Sequence, residues 1–121
     1  MTSVWADPVQ FTVPSLTKTN GAVTLGDSLA LNGSAGIITF TLPVVAAGAT
    51  TSSVIKNSSV VSTSIVNAQI IGFSGTYATN GSPIVNIGSI SDGSFVIHVL
   101  NTHLLNAFVL GHTIKVSYMI L

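Results

Sequence analysis

The sequence predicts an all-β fold, an antiparallel β-sandwich of seven or eight short strands. Three observations carry this. Apolar and polar residues alternate with period two along most of the chain. Asn-Gly or Asp-Gly pairs, which supply the positive φ angles of tight turns, recur at Asn20-Gly21, Asn32-Gly33, Asn80-Gly81 and Asp92-Gly93. The strand-like runs between such marks repeat about every 8 to 12 residues, the spacing of sandwiches and of closed barrels, of which the sandwich is preferred.

Residues 1–20 are the least patterned part and read as an amino-terminal extension or attachment segment, because Pro8 and Pro14 suit linkers and edge strands only. The sandwich domain is expected over residues 21–121. From Gly21, Val23, Leu25, Leu29 and Leu31 share one side, interrupted at Asp27, until Asn32-Gly33 closes the run. Ile38, Phe40 and Leu42 face one way in the next strand, Thr39 and Thr41 the other, and Pro43 ends it. Residues 44–51 are small and contain Gly48, a loop composition, before a short strand over residues 52–56.

The stretch from Asn57 to Phe73, NSSVVSTSIVNAQIIGF, is expected to hold a central strand. In extended form Val66, Ala68 and Ile70 make one wholly apolar face. Ile65, Asn67, Gln69, Ile71 and Phe73 make the other, apolar at its ends with two amides in the middle, which suits a surface partly covered by another chain or layer. Residues 74–82 read as loop and turn, and residues 83–89 as a strand. Asp92-Gly93 opens a strand in which Phe95, Ile97 and Val99 alternate with Val96, His98 and Leu100. The last strand, from Thr113 to Leu121, sets Ile114, Val116, Tyr118 and Ile120 on one side. Between them, Asn101 to Gly111 is the one place suited to a helical turn, with Thr102 as cap, although it is too short to stand as an isolated helix.

Charged residues make up 5% of the chain, against about a quarter in ordinary soluble domains. They are Asp7, Lys18, Asp27, Lys56, Asp92 and Lys115. A phosphate-tracking surface needs clustered Lys and Arg, so no nucleic-acid partner is expected. Disorder does not explain the shortage of charge, because 47% of the residues are hydrophobic. The surface must be built from Ser, Thr, Asn and Gly, and a neutral surface of that kind favours self-association, so a homo-oligomer or a part of a larger particle is expected. Without Cys, disulfides and thiolate metal sites are excluded. The start MTSVWADPVQF lacks the basic and apolar regions of a signal peptide. No run approaches the roughly 18 apolar residues of a spanning helix, and paired aromatic girdles are missing, so no membrane partner is expected.

The side chains that could carry chemistry read as structural. His98, His103 and His112 include no close His-x-His pair and have only Asp92 as a nearby carboxylate, which does not make a metal site. Asp7, Asp27 and Asp92 each sit beside Pro or Gly, as turn aspartates do, rather than as a catalytic pair. No Gly-x-Ser-x-Gly elbow is present. The chain is therefore read as non-enzymatic, with no catalytic, cofactor or metal residues. Asn32, Asn57 and Asn80 begin Asn-x-Ser patterns, but chains rich in Asn and Ser produce these by chance, so no glycans are expected. Tyr77, in a Gly- and Ser-flanked loop, and Trp5 are the two residues suited to ligand contact, by stacking on a sugar ring; packing is the commoner use of each ring.

The run NSSVVSTSIVNAQI, then GSFVIHVLN, then NAFVLGHTIKVSYMIL at the end, resembles the small β-sandwich modules in structural proteins of tailed phages and large DNA viruses, which serve as fibre heads, tail-tip knobs and capsid-decorating caps. The similarity covers roughly Gly33 to Leu121. It implies a jelly-roll-like sandwich, often trimeric, located in the virion, contacting other virion proteins and carrying no active site. Two functions follow as expectations: a virion structural protein that decorates a capsid or heads a fibre, or a receptor- or carbohydrate-binding module at a tail or fibre tip that contacts a host-surface glycan.

Overall fold

The computed structural model describes residues 23–121. They form eight strands and no helix: β1 (Val23–Thr24), β2 (Leu29–Ala30), β3 (Ala35–Thr41), β4 (Thr50–Lys56), β5 (Val66–Phe73), β6 (Pro83–Ser91), β7 (Ser94–Asn101) and β8 (Thr113–Ile120). Two four-stranded sheets result, ordered β1-β3-β8-β5 and β2-β4-β7-β6. The longer strands pair antiparallel, and they pair in nested fashion: β3 with β8, β4 with β7. The chain passes from one sheet to the other at every connection except β6 to β7. Two facing sheets joined by such crossings make a β-sandwich.

The alternation places the core as expected. Ile38 and Phe40 of β3, Ile55 of β4, Phe95, Ile97 and Val99 of β7, and Ile114, Val116 and Tyr118 of β8 are buried between the sheets. The rings of Phe95 and Tyr118 meet across the gap with centroids 5.4 Å apart. Leu42, Val45 and Phe108 close one end of this core from the loops, and Val60 joins it from the β4–β5 connection.

Five expectations are corrected. First, the sheets are mixed, because β1 pairs with β3 and β2 with β4 in parallel. The alternating run from Val23 to Leu31 does not continue as one strand: it crosses from sheet to sheet at Gly26, whose N–H donates to the buried Ser53 Oγ at 2.8 Å.

Second, the stretch from Asn57 to Phe73 holds no central strand. Residues 57–65 are irregular, and β5 lies at the edge of its sheet. Side-chain oxygens capture backbone donors that a ladder would need: Asn57 Oδ1 accepts from Ser59 N at 2.7 Å, Ser64 Oγ from Val61 N at 3.0 Å, and Asp92 Oδ1 from Ser62 N at 2.7 Å. Third, a bulge between Ile70 and Gly72 shifts the β5–β8 register. It turns Phe73 from the outer face to the inner one, opposite Ile114 and against the core.

Fourth, residues 102–112 contain no helical turn, because the N–H groups of Leu105 and Asn106 are taken by the His103 ring. Fifth, of the Gly turn marks, Gly33, Gly81 and Gly93 do adopt positive φ, but only Asp92-Gly93 joins paired neighbours as a hairpin. The other two sit where the chain changes sheets. Asn20-Gly21, with the whole 1–20 segment and Trp5, lies outside the described residues.

Candidate interaction surfaces

Three loops gather at one end of the sandwich: residues 42–49, 74–82 and 102–112. Asn101, 1% exposed, holds them together with a fully used amide. Its Oδ1 accepts from Ser82 N and His103 N at 3.0 and 3.1 Å, and its Nδ2 donates to Val45 O and Asn106 O at 3.0 and 2.9 Å. Each loop thus contributes a backbone partner to one buried side chain. His103 then braces the tip. Its Nδ1 accepts from Leu105 N and Asn106 N at 3.0 and 2.9 Å, which fixes the hydrogen on Nε2, and Nε2–H donates to Ala78 O at 3.2 Å.

The braced loop projects apolar side chains into solvent. Leu104 is 91% exposed and Leu105 84%, with Leu110, Val44 and Val109 exposed on the same group of loops. None of the three loops contains Asp, Glu, Lys or Arg. Tyr77, 54% exposed, lies at this end, its ring edge-on to Phe73 at a centroid distance of 5.1 Å. One side of that ring is therefore spent on packing, and among the described residues no second exposed aromatic stands beside it to complete a sugar platform.

The histidines do not converge. His103 is in the loop end, His112 packs edge-on against Phe73 with its Nδ1 buried and without a hydrogen-bond partner among the described residues, and His98 lies on the outer face of the second sheet. His98 Nδ1 is hydrogen-bonded to Ser52 Oγ, and the ring lies over Gly88, where a Cβ would come within 2.2 Å of Nε2. Among the described residues no group of three His, Cys, Asp or Glu could hold a metal ion. The Asn-x-Ser asparagines are also engaged. Asn57 is 1% exposed, its Nδ2 donating to Leu31 O and Gly33 O at 2.8 Å, while Asn32 Oδ1 accepts from Ser58 N and Asn80 Oδ1 from Thr76 N.

At the opposite end, Asn57 does for the core what Asn101 does for the loops. Its Nδ2 lies 3.2 Å from the Tyr118 hydroxyl, which in turn donates to Gly33 O at 3.1 Å. Burial pushes the Tyr118 phenol above its ordinary value, and the Asn57 hydrogen bond offsets part of that rise. On the outer face of the first sheet a half-open depression of about 280 Å³ is lined by Asn67, Ala68, Gln69, Ser117, Tyr118 and Met119.

Neither buried asparagine stands out in the sequence as a structural tie. The one signal was that Asn101 ends an otherwise alternating strand, at a position whose neighbours on the same face are apolar. The consecutive leucines 104 and 105 could have been flagged as an apolar pair in a loop, but exposure is decided by the His103 brace, which only the folded geometry shows. No family model, no curated protein and no solved structure matches this chain.

Proposed function

We propose that this chain is a non-enzymatic structural subunit of a virion, a capsid-decorating cap or fibre-head domain that assembles with copies of itself and attaches to other virion proteins through its uncharged loop end. The observation that carries this reading is the exposure of Leu104 and Leu105, on a loop hydrogen-bonded to the His103 ring, among loops with no charged residue. Keeping a leucine side chain in water instead of buried forgoes about 1.5–3 kcal/mol, and an apolar patch held out in this way marks an interaction site. Nothing about the patch suits nucleic acid or an ionic ligand. The jelly-roll-like wrap and the viral resemblance of the stretch from Gly33 to Leu121 agree with it, and that resemblance implies a trimer.

The test is to locate the protein on purified particles by immunogold labelling, then to add back Leu104→Ser with Leu105→Ser. The wild-type chain is expected on the particle surface and the double variant is expected to be lost from it at unchanged melting temperature. Particles that never carry the protein would contradict the proposal. The second reading, a glycan-binding tip, rests on the exposed part of the Tyr77 ring alone. In that case a glycan array would show specific binding abolished by Tyr77→Ala, with particle attachment unaffected by the leucine changes.

A further inference from the structure

The edges of the two sheets are not equally protected. β1 and β2, at one edge of each sheet, are two residues long. β6 begins at Pro83, which has no N–H to offer, and is interrupted by a register shift between Ile87 and Ile90. Short strands, edge prolines and bulges are the usual devices against unwanted strand pairing. β5 lacks them from Val66 to Ile70: five uncharged residues in regular register.

The outward-facing backbone of β5 can be identified. Leu121 N–H donates to Ile65 O at 2.8 Å, and in an antiparallel ladder hydrogen-bonded positions alternate. Asn67 and Gln69 therefore bond to β8, while Val66, Ala68 and Ile70 turn their N–H and C=O groups to the open side. No strand pairs with that side among the described residues. The sequence there reads the same in both directions by residue class: from Ile65 to Ile71 it runs apolar, apolar, amide, alanine, amide, apolar, apolar.

We propose that two copies of this chain join edge to edge through β5, antiparallel, about a two-fold axis at Ala68. An isologous contact must be self-complementary, and this strand is. Ala68 opposes Ala68 of the second copy as a hydrogen-bonded pair, Val66 opposes Ile70 on the inner face, and about six backbone hydrogen bonds close the open edges. On the outer face Asn67 opposes Gln69 in the closer, non-hydrogen-bonded spacing, so the two amides can bond to each other beside the depression that they line. The bulge at Ile71 ends the ladder at the same distance from Ala68 on both copies. A strand of another protein would not need this internal symmetry; a second copy does. The inference rests on the self-assembly reading above and adds a two-fold to it, so that trimers, if formed, are linked into assemblies with an even number of chains.

The chain has no cysteine, so introduced thiols report on one contact only. Asn67→Cys and Gln69→Cys chains are prepared separately, each side chain being exposed, and oxidised alone and mixed. The mixture is expected to form an interchain disulfide in high yield, since residue 67 of one copy faces residue 69 of the other at about 4.5 Å between Cα atoms, and neither chain alone is expected to do so. Asn67→Lys with Gln69→Lys should dissociate the contact, whereas Asn67→Glu with Gln69→Lys, which sets opposite charges face to face, should keep it. Equal or absent cross-linking in an assembly that light scattering shows intact would overturn the two-fold and leave self-assembly standing; so would a strand of another protein occupying this edge. A monomer at all concentrations would overturn both.

Discussion

Asn57 and Asn101 are each 1% exposed, and each satisfies its own amide and the backbone groups around it. A buried donor or acceptor left without a partner costs about 1–3 kcal/mol, so such residues hold loops in place more firmly than an apolar contact of the same size. Asn101→Ala strands the carbonyls of Val45 and Asn106 and is expected to lower stability by about 3 kcal/mol, read as a fall in the urea midpoint; a change under about 1 kcal/mol would mean that the loop end does not depend on it. Tyr118 gives a pH-dependent counterpart. Its phenol is raised in the folded state by burial, so its contribution to stability is fully present below the unfolded value near 10 and is lost as pH rises from there through the folded value. Alkaline destabilisation beginning near pH 10 is expected in the wild type and is expected to be reduced in Tyr118→Phe; identical alkaline profiles in thermal melts would contradict this.

At the scale of elements, the inner and outer faces of β3, β7 and β8 were legible because strict alternation maps directly onto a pleated strand with one buried face. What alternation does not encode is a strand's place in the sheet. The apolar face made by Val66, Ala68 and Ile70 gave the same signal at an edge as it would have given in the middle, and the Ser- and Asn-rich residues before it read as strand although their side chains cap a loop. The bulge that reverses Phe73 leaves only the faint trace of Gly72. The parallel edge pairings left no trace, since Val23 to Leu31 alternates straight through the crossover. Leu104 and Leu105 were visible as an apolar pair, but their exposure was not, because it depends on the hydrogen bonds of Leu105 and Asn106 to His103 and not on pattern. Two neighbouring substitutions test the β5 facing. Val66→Asp buries an unpaired carboxylate and is expected to abolish soluble folding, since the cost of several kcal/mol approaches a total stability of about 5–15 kcal/mol. Asn67→Asp, one residue on and exposed, is expected to leave the melting temperature within a few degrees. Equal effects in thermal melts would mean that the strand faces are misassigned.

For the whole molecule, two sheets enclose an apolar core, and the chain carries only three basic and three acidic side chains, few for charge repulsion or intersubunit ion pairs. With six charged side chains in the full chain, the association proposed above would rest on apolar contact, neutral amides and open strand edges. Such contacts are not screened by salt, unlike pairings of exposed charges. Size-exclusion chromatography coupled to light scattering, run first at low ionic strength and then in molar sodium chloride, tests this most directly. The expected result is one assembly of several chains with the same mass in both buffers; a monomer in both, or an assembly that salt alone dissolves, would contradict it.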